Sequence, residues 1–411
     1  MKNVCVIGLG YIGLPTALML ASSGVPVTGI DYNTELVESL NHGKLSFEEK
    51  GLENLYKKAI ERNIKFTDSY TENDPAEVYI IAVPTPYNRK SKKIDPKYVI
   101  SAVEEVLKIC EKGTVITIES TISPGTIDKF IKPLIIEHGF KIGEDIHITH
   151  APERIIPGNM IYELEHNSRV IGCDDKIIGE EIKNIYSSFC KGEIVITDIR
   201  TAEMTKVVEN TFRDINIAFA NELCKICGND GLDVYEIIRI ANMHPRINIL
   251  SPGPGVGGHC ISVDPWFLVG DYPELSLLIH EARKINDSMP DFVLERLADI
   301  IKETGIKDKS RIGLYGLTYK EDVDDIRESP TLQLLRKIDG HLGMPLKVYD
   351  PMVKKNIFES QYQDFDKFLK DIDLIVIMVG HSHIKQNLGK IKDKIIFDTR
   401  NICKDMKAYK L

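Results

Sequence analysis

No apolar run in the sequence approaches the roughly 20 residues that a membrane-spanning helix needs, and we therefore expect no membrane association. Positive charge is not in excess either, because 52 Lys and Arg stand against 61 Asp and Glu, a formal net charge of −9 at pH 7. A nucleic-acid surface needs clustered cations, so nucleic acid is not expected as a partner. The first residues run straight into an apolar segment without a leader pattern, which favours a cytoplasmic protein.

The sequence also lacks a zinc-binding arrangement of cysteines. Cys224 and Cys227 have CxxC spacing, but no second Cys or His pair lies nearby to complete a metal site. The scattered arrangement is typical of reduced thiols in a cytosolic protein, and we predict no metal. The eight cysteines are Cys5, Cys110, Cys173, Cys190, Cys224, Cys227, Cys260 and Cys403.

The first ~200 residues alternate short apolar segments with helical patterns, which predicts a parallel sheet with helices on both faces. A chain of 411 residues is long enough for two or three domains. The strands expected in this part are Val4–Ile7, Val25–Ile30, Val78–Val83, Val115–Glu119, Ile146–Thr149, Val170–Gly172 and Ile194–Thr197.

A glycine-rich turn leaves the first of these strands and opens a helix near Leu14-Pro15. Asp31 ends the second strand, where a ribose-binding acid belongs in a dinucleotide-binding unit. A carboxylate there repels a 2′-phosphate, so the pattern predicts NAD rather than NADP. A glycine-rich turn without a ligand is the competing interpretation. The cofactor-binding candidates in the turn are Gly8, Gly10, Tyr11, Ile12 and Gly13.

From about Thr201 to Gly228 the pattern changes to one long amphipathic helix. Lys206 and Asn210 are one turn apart and project to the same side. Helices continue through Ile240 and from about Leu275 to Glu303, and long helices of this kind often pair across a two-fold axis, so we expect a homodimer. The predicted apolar face of the long helix consists of Val207, Val208, Phe212, Ile215, Phe219 and Leu223.

A second, smaller α/β unit begins near Ser310. Its expected strands lie within Arg311–Leu317, Leu346–Asp350, Leu374–Val379 and Ile395–Asp398, and it has no full GxGxxG motif, so a different ligand is expected there. We therefore predict an α/β fold with two Rossmann-like parallel-sheet domains, joined by a long central helix and a helical middle domain. The expected boundaries are 1–200 for NAD binding, 201–304 for the middle and dimerisation domain, and 305–411 for the second Rossmann-like domain.

The segment Pro252–Cys260 holds four glycines and two prolines in nine positions, so it cannot form a helix or a central strand. Such a loop brings backbone N–H groups close to a ligand and ends in one soft nucleophile, Cys260. Asp264 follows within a turn of the thiol. The competing interpretation is a plain turn that ends in a small buried hydrophobic residue.

Seven ordered motifs make the chain resemble the UDP-glucose/GDP-mannose dehydrogenase family along its whole length. Within the family, Ala151–Gly158, His244–Leu250 and Val263–Phe267 are most similar to the members that act on UDP-N-acetyl-D-mannosamine; members acting on UDP-N-acetylglucosamine, or on another nucleotide-sugar, are the alternative. The seven matching segments are Gly8–Gly13, Val83–Pro86, Glu119–Thr121, Ala151–Arg154, Glu203–Asn221, Gly253–Pro265 and Tyr319–Pro330.

The resemblance implies a four-electron oxidation of the sugar C6 alcohol to a carboxylate, with two NAD⁺ consumed. Cys260 would trap the aldehyde as a thiohemiacetal, which is oxidised to a thioester that water then hydrolyses. Lys206 and Asn210 would stabilise the oxyanion, and Asp264 would orient Lys206 or a water. Glu153 is then the expected base for hydrolysis.

The remaining roles also follow from the resemblance. Thr121 would hold the hydrolytic water, Arg327 would contact the cofactor pyrophosphate, and pairing with neighbouring acids is the alternative for Arg327. Arg246 would approach the substrate of the partner subunit, whereas His259 is expected to be structural or substrate-shaping. Further cofactor contacts are expected from Val83, Thr85 and Thr121, and further substrate contacts from Glu153, Arg154, Lys206, Asn210, His244, Gly257, Tyr319 and Lys320.

Two other functions are alternatives to a nucleotide-sugar dehydrogenase. A two-electron hydroxyacid dehydrogenase shares the N-terminal fold and a Lys/Asn pair on a long helix, but it needs no cysteine. A catalytically silent NAD sensor has no use for a nucleophile. The presence of Cys260 therefore argues against both the hydroxyacid dehydrogenase and the sensor.

Overall fold

The computed structural model describes residues 2–70, 75–342 and 346–411. The chain forms two compact units, Met1–Glu209 and Asn210–Leu411. Helix α8 (Ile199–Asp230) begins in the first unit and ends in the second. The division into three domains at residues 200 and 304 stays a prediction. No helix in the described ranges is both long enough and apolar enough to cross a membrane.

The first unit is built on one eight-stranded sheet in the order β3-β2-β1-β4-β5-β6-β7-β8. Its strands are β1 Val4–Ile7, β2 Val27–Ile30, β3 Lys65–Thr67, β4 Val78–Ile81, β5 Thr114–Ile118, β6 Ile146–His150, β7 Arg169–Cys173 and β8 Ile194–Thr197. Its helices are α1 Gly13–Ser22, α2 Thr34–Asn41, α3 Leu52–Glu61, α4 Lys97–Ile109, α5 Lys132–Glu137, α6 Met160–His166 and α7 Lys176–Tyr186, with a π-helical turn at Ile127–Ile131.

The central strands are buried on both faces, as the apolar run Val4–Ile7 indicates, because helices cover both sides of a parallel sheet. The strand order reverses between β1 and β4, which are parallel neighbours, and ligands collect beyond the carboxyl ends of strands at such a point. The predicted α/β fold is thereby confirmed.

One strand pair departs from the predicted parallel sheet. β6 and β7 are antiparallel, with Thr149 opposite Cys173. The link between them contains α6, a helix of seven residues that spans only about 10 Å. Residues 151–168 still exceed the dozen residues that a parallel crossover needs, so the length of the link alone does not explain the antiparallel pairing.

The second unit repeats the same order in an all-parallel sheet, β11-β10-β9-β12-β13-β14. Its strands are β9 Ile312–Tyr315, β10 Lys347–Tyr349, β11 Gln361–Tyr362, β12 Leu374–Ile377, β13 Ile395–Asp398 and β14 Tyr409–Lys410. Its helices are α9 Val234–Ala241, α10 Asp264–Asp271, α11 Leu277–Asp287, α12 Met289–Thr304, α13 Pro330–Leu342, α14 Phe365–Lys370 and α15 Ser382–Gln386, with 3₁₀ turns at Lys309–Arg311 and Leu388–Ile391.

Three strands have no counterpart in the sequence prediction: β3, β11 and β14. Each has only two or three residues, which is too short for an alternating pattern to be recognised. They lie at or next to the sheet edges, where pairing with one neighbour is enough.

The predicted apolar face of α8 is only partly buried. Val207 is fully buried, whereas Val208, Phe212 and Phe219 are exposed. The core side of α8 instead uses small residues such as Ala218 and Ala220, which let the helix approach its neighbours closely. The larger apolar side chains are therefore left on the outer side of the helix.

Candidate active site

The turn after β1 has the geometry of a phosphate-binding turn. Gly8 has φ +90°, and a Cβ on Gly13 would lie 1.8 Å from the Gly8 carbonyl oxygen, so both positions require glycine. A Cβ on Gly10 would meet nothing within 4 Å, which leaves this face of the turn open to a ligand. No side chain caps the N-terminus of α1, so its N–H groups are suited to a phosphate.

The residues between the glycines are placed by side-chain packing. The Tyr11 ring stacks on Phe47 with centroids 4.4 Å apart, and Ile12 packs against the hydrophobic core of the unit. The turn is therefore anchored on one side.

Asp31 follows β2 directly and is buried. Its two carboxylate oxygens accept hydrogen bonds from the backbone N–H groups of Leu9 at 2.7 Å and Asn33 at 2.9 Å. The first of these bonds ties the acid to the glycine turn, so the ribose-binding candidate and the phosphate-binding candidates form one site. These residues fit a dinucleotide.

The segments that follow β4 and β5 are joined by one hydroxyl group. Ser120 Oγ accepts from the Val83 N–H at 2.9 Å and donates to the Val83 carbonyl at 2.7 Å. These bonds place Val83 beside Ser120, just past the carboxyl ends of the adjacent strands β4 and β5. Thr121 and Thr85 are half-buried.

Glu153 lies in a buried ionic cluster just past the end of β6. One of its oxygens accepts from the Arg154 backbone N–H at 2.6 Å, and the other pairs with the Arg169 guanidinium. Arg169 also contacts Glu119 at 3.5 Å, and the Tyr186 hydroxyl donates to Glu119 at 3.1 Å. Burial raises the pKa of Glu119 above its usual 4.5, although Arg169 opposes this.

Sequence reasoning did not find Arg169. It is the first residue of the strand Arg169–Cys173, which is otherwise apolar, and it is itself buried. A charged residue at the start of a buried strand needs an opposite charge in the core, and this is the signal that could have identified it.

Arg154 was predicted to contact the substrate, and its guanidinium is engaged within the first unit. It donates to Glu209 on α8 at 2.5 Å, to the Ser168 hydroxyl at 3.1 Å, and to the Ser168 carbonyl. The side chain therefore links the segment after β6 to α8.

In the second unit, the glycine loop Pro252–Cys260 packs closely against the segment Tyr319–Pro330. A Cβ on Gly257 would lie 2.7 Å from both the Tyr319 Cβ and the Glu328 carbonyl, and one on Gly258, at φ +83°, would lie 2.8 Å from the Tyr319 ring. The Gly258 N–H donates to the Arg327 carbonyl at 2.9 Å. Two motifs that are 60 residues apart in sequence thus form one surface.

Cys260 is exposed and lies immediately before the first turn of α10. Its carbonyl accepts the N–H groups of Val263 at 3.0 Å and Asp264 at 2.8 Å. The other seven cysteines are buried or half-buried. Its exposure makes the Cys260 thiol accessible to a reactant, which a reactive cysteine requires.

Asn210 and Asp264 are bonded to each other. Asn210 Nδ2 donates to Asp264 Oδ2 at 2.6 Å, and both residues are buried. Lys206, one turn earlier on α8, is buried as well. The alternative of a solvated helix face for Lys206 and Asn210 is therefore wrong, since buried polar side chains require specific partners.

Two further asparagines on α8 fix the loop that leads to Cys260, and sequence reasoning missed both. Asn216 accepts from the Leu250 N–H at 2.9 Å and donates to the Asn248 carbonyl at 2.8 Å. Asn221 accepts from the Gly253 N–H at 2.9 Å. The helix α8 therefore holds the start of this loop within the second unit.

Two residues of Tyr319–Pro330 that were predicted to bind a ligand, Lys320 and Arg327, have different surroundings. The Arg327 guanidinium pairs with the Asp325 carboxylate through contacts of 2.5 to 3.0 Å. Pairing with a neighbouring acid is the alternative that the sequence left open for Arg327. Lys320 is half-buried, and its carbonyl accepts from the Thr318 hydroxyl at 2.8 Å. The segment is thus rigid at both ends.

His244 and Arg246 lie on an exposed stretch after α9. The Arg246 N–H donates to His244 Nδ1 at 3.3 Å. Asn242 closes this stretch through bonds to the Ile249 N–H at 2.7 Å and carbonyl at 2.9 Å.

Arg400 is a candidate ligand residue that sequence reasoning missed. It follows β13, and its guanidinium lies 2.6 Å from the position of a Cβ on Gly253. Its side chain has no hydrogen bond or ion pair with the described residues. Asp398 holds the surrounding loop through the N–H groups of Arg400 at 3.0 Å and Cys403 at 2.7 Å. An arginine just past the carboxyl end of a buried strand was the available signal.

Comparison with known proteins identifies three domains of one family along the chain. Residues 2–190 match the NAD binding domain of the UDP-glucose/GDP-mannose dehydrogenase family, residues 200–288 match its central domain, and residues 313–405 match its UDP binding domain.

Individual relatives are similar over nearly the full length. The UDP-N-acetyl-D-mannosamine dehydrogenase of Methanococcus maripaludis is 44% identical, covering 98% of this chain and 93% of its own. The NDP-N-acetyl-D-galactosaminuronic acid dehydrogenase of Ralstonia nicotianae is 37% identical, covering 98% and 96%. The solved UDP-N-acetyl-mannosamine dehydrogenase of Staphylococcus aureus superimposes with a TM-score of 0.89 at 42% identity, covering 100% of this chain and 98% of its own.

Proposed function

The chain belongs to the UDP-glucose/GDP-mannose dehydrogenase family, and we propose that it oxidises UDP-N-acetyl-D-mannosamine at C6 to UDP-N-acetyl-D-mannosaminuronate. The similarity over the whole chain to dehydrogenases named for this sugar supports the choice of substrate. The observation that carries the chemistry is the exposed Cys260, which lies four residues before Asp264; the buried Asp264 is in turn bonded to Asn210.

NAD⁺, when bound, accepts a hydride from the sugar carbon in each of two successive oxidations. The chain contributes the binding turn Gly8–Gly13, whose open face at Gly10 admits phosphate oxygens. Asp31 offers carboxylate oxygens to the ribose hydroxyls, and the same charge disfavours a 2′-phosphate.

Cys260 divides the oxidation into two steps by capturing the aldehyde. Its thiolate attacks the aldehyde carbon and forms a thiohemiacetal, and loss of the second hydride from that carbon gives a thioester. Asn210 is held by Asp264 at 2.6 Å, so its amide is oriented before the reaction begins and can donate to the developing oxyanion. Lys206 supplies a second donor and favours the thiolate.

Water then hydrolyses the thioester, with Glu153 as base and Thr121 as the residue that holds the water. The Glu153 carboxylate is fixed by the Arg154 N–H and by Arg169. An ion-paired carboxylate is a weaker base than a free one, so the charge around Arg169 influences this step.

The second unit provides cations for the nucleotide. Arg400, whose guanidinium has no hydrogen bond or ion pair with the described residues, and Lys320 would contact the UDP phosphates, since guanidinium and ammonium groups suit phosphate oxygens. Gly257 and Tyr319 form the adjoining surface, while Arg327, if it leaves Asp325, would reach the cofactor pyrophosphate.

Assembly as a homodimer is the second part of the proposal. Phe212, Phe219 and Ile226 are spaced by seven residues on α8 and expose about half or more of their surface, which places them along one side of the helix. Large exposed apolar patches mark interaction sites. A second copy of the chain would cover this side and bring Arg246 to its partner's substrate.

The substrate assignment is tested by a panel of UDP-sugars. Purified protein with NAD⁺ is expected to show its highest kcat/KM for UDP-N-acetyl-D-mannosamine, with lower values for UDP-N-acetylglucosamine, UDP-N-acetylgalactosamine and UDP-glucose. A higher kcat/KM for one of the other three sugars would replace the proposed substrate with that sugar.

A further inference from the structure

We infer that Glu119 is a positioning residue for thioester hydrolysis, because its charge competes with Glu153 for the single guanidinium of Arg169. This inference rests on the proposed function, in which Glu153 activates the hydrolytic water. It assigns a role to a buried acid that the proposed mechanism does not use.

The cluster consists of two buried carboxylates that share one cation. Arg169 Nη2 pairs with Glu153 and Nη1 lies 3.5 Å from Glu119 Oε1. The three side chains expose 5% of their surface or less. The guanidinium lies over the Tyr186 ring, 4.5 Å from its centroid, so the ring packs against one of its faces.

The cluster carries a net charge of −1 when both acids are ionised, and a buried excess charge is unfavourable. Glu119 is the acid that is less well compensated. Its Oε1 accepts from Tyr186 at 3.1 Å, but its Oε2 has no partner of ordinary geometry among the described residues. Burial accordingly raises the pKa of Glu119, with Glu153 adding to the effect and Arg169 opposing it.

Few other titratable or polar groups face the cluster. The Thr16 hydroxyl from α1 faces the Glu119 carboxyl, and the Cys190 thiol lies near Arg169. Tyr186 remains neutral, because burial raises the pKa of its hydroxyl well above 10. Glu119, whose Oε2 lacks a partner among the described residues, is the acid whose change of charge the inference uses.

The protonation state of Glu119 sets the strength of Glu153 as a base. While Glu119 is protonated, Glu153 alone faces the charge of Arg169. Once Glu119 ionises, the two carboxylates share the guanidinium, and less positive charge opposes transfer of the water proton to Glu153. In the hydrolytic step, water oxygen bonds to the thioester carbonyl carbon while Glu153 takes the water proton. The C–S bond then breaks, Cys260 leaves as thiolate, and no electrons are transferred to a cofactor.

The test is the pH dependence of thioester hydrolysis in variants of the cluster. The protein is mixed with NAD⁺ and UDP-N-acetyl-D-mannosamine, and the loss of the acyl group from Cys260 is followed by quenching and mass spectrometry. In the wild type we expect hydrolysis to accelerate with rising pH. Glu119→Gln should remove this rise and be several-fold slower at alkaline pH, with unchanged KM values, and Glu119→Asp should restore part of it.

Tyr186→Phe keeps the charge of Glu119 but removes its hydroxyl donor, so the rise should move to higher pH; this variant carries the test if Glu119→Gln does not fold. Glu137→Gln, at an exposed position on α5, is the matched control and should behave as the wild type. If Glu119→Gln and Tyr186→Phe both keep the wild-type pH profile, Glu119 plays no part in hydrolysis and the inference is wrong.

A second measurement separates this inference from the proposed function. If the wild type forms no NADH from any UDP-sugar, the proposed function fails, but the charge competition can still be read by ¹³C NMR of protein labelled at the glutamate carboxyls. One carboxyl that titrates above the ordinary 4.5 should be missing from Glu119→Gln and move upward in Tyr186→Phe. If no such carboxyl is lost, Glu119 is ionised throughout and cannot act as proposed.

Discussion

Asp31 and Asp350 follow the second strand in each sheet, and their surroundings differ at the level of single hydrogen bonds. Asp31 accepts two backbone N–H groups. Asp350 accepts four, from Leu317, Thr318, Met352 and Val353, and its Oδ2 also lies 3.3 Å from His381. Burial opposes ionisation of Asp350, but His381 and these N–H groups lower its pKa below 3.8. The Asp350 carboxylate has little capacity left to bind a ribose. The Asp31 carboxylate, with two N–H partners, can accept further hydrogen bonds from ribose hydroxyls.

Asp31→Asn is therefore expected to lower kcat/KM for NAD⁺ by roughly 10- to 100-fold, the loss of a charged hydrogen bond to a ribose hydroxyl. Activity with NADP⁺ should fall less or rise, because the charge that repels the 2′-phosphate is gone. The measurement is kcat/KM with each cofactor. Asp350→Asn is the matched control, and it should lower the melting temperature while leaving the ratio of the two cofactors unchanged. An unchanged ratio in Asp31→Asn would contradict the role of Asp31.

At the scale of single elements, α8 organises both units through side chains that it directs inward. Glu203 accepts the N–H groups of Gly125 at 2.5 Å and Ile127 at 3.0 Å, so it caps the helical segment that begins after Gly125. Burial raises the pKa of Glu203 to about 7, although these bonds oppose the shift.

Because the folded-state pKa of Glu203 lies above the usual 4.5, the folded protein binds more protons than the unfolded chain between these two values. Its contribution to stability is therefore largest at acidic pH and is lost as the pH rises from about 4.5 to about 7. Glu203→Gln cannot titrate, so its free energy of unfolding should vary less with pH than that of the wild type across this interval. Chemical denaturation over the pH series measures this, with Glu222→Gln, an exposed position on the same helix, as control. Parallel curves for wild type and Glu203→Gln would contradict the assignment.

Elements that depend on the composition of a short sequence segment could be predicted from the sequence. The turn Gly8–Gly13 and the loop Pro252–Cys260 have compositions that only a turn or loop tolerates. The ionic partners of Arg169 and the open position of Arg400 depend on residues far away in sequence, and no periodicity encodes them. The apolar face predicted for α8 has a related limit, because an amphipathic pattern identifies an apolar stripe but not what covers it.

At the scale of the whole molecule, the uncovered stripe on α8 leads to a prediction about assembly. Phe219→Asp places a charge among the exposed apolar side chains, so the protein should shift from dimer to monomer by size-exclusion chromatography with light scattering. Glu222→Gln, on the same helix, should leave the dimer intact. A Phe219→Asp protein that stays dimeric, or a wild type that is monomeric at all concentrations, would contradict the proposed interface.

In the proposed mechanism, one chain carries out two oxidations of the sugar through a covalent bond to Cys260. The most direct measurement is the number of NADH molecules formed for each UDP-N-acetyl-D-mannosamine consumed, with mass spectrometry of the quenched protein. The wild type should form two NADH per sugar and carry a sugar adduct on the peptide that contains Cys260. Cys260→Ser should still bind NAD⁺ and sugar but lose at least ~10²-fold in turnover, since a hydroxyl is a far weaker nucleophile. One NADH per sugar with release of a stable aldehyde, or a Cys260→Ser protein that makes the acid at near wild-type rate, would contradict the covalent mechanism.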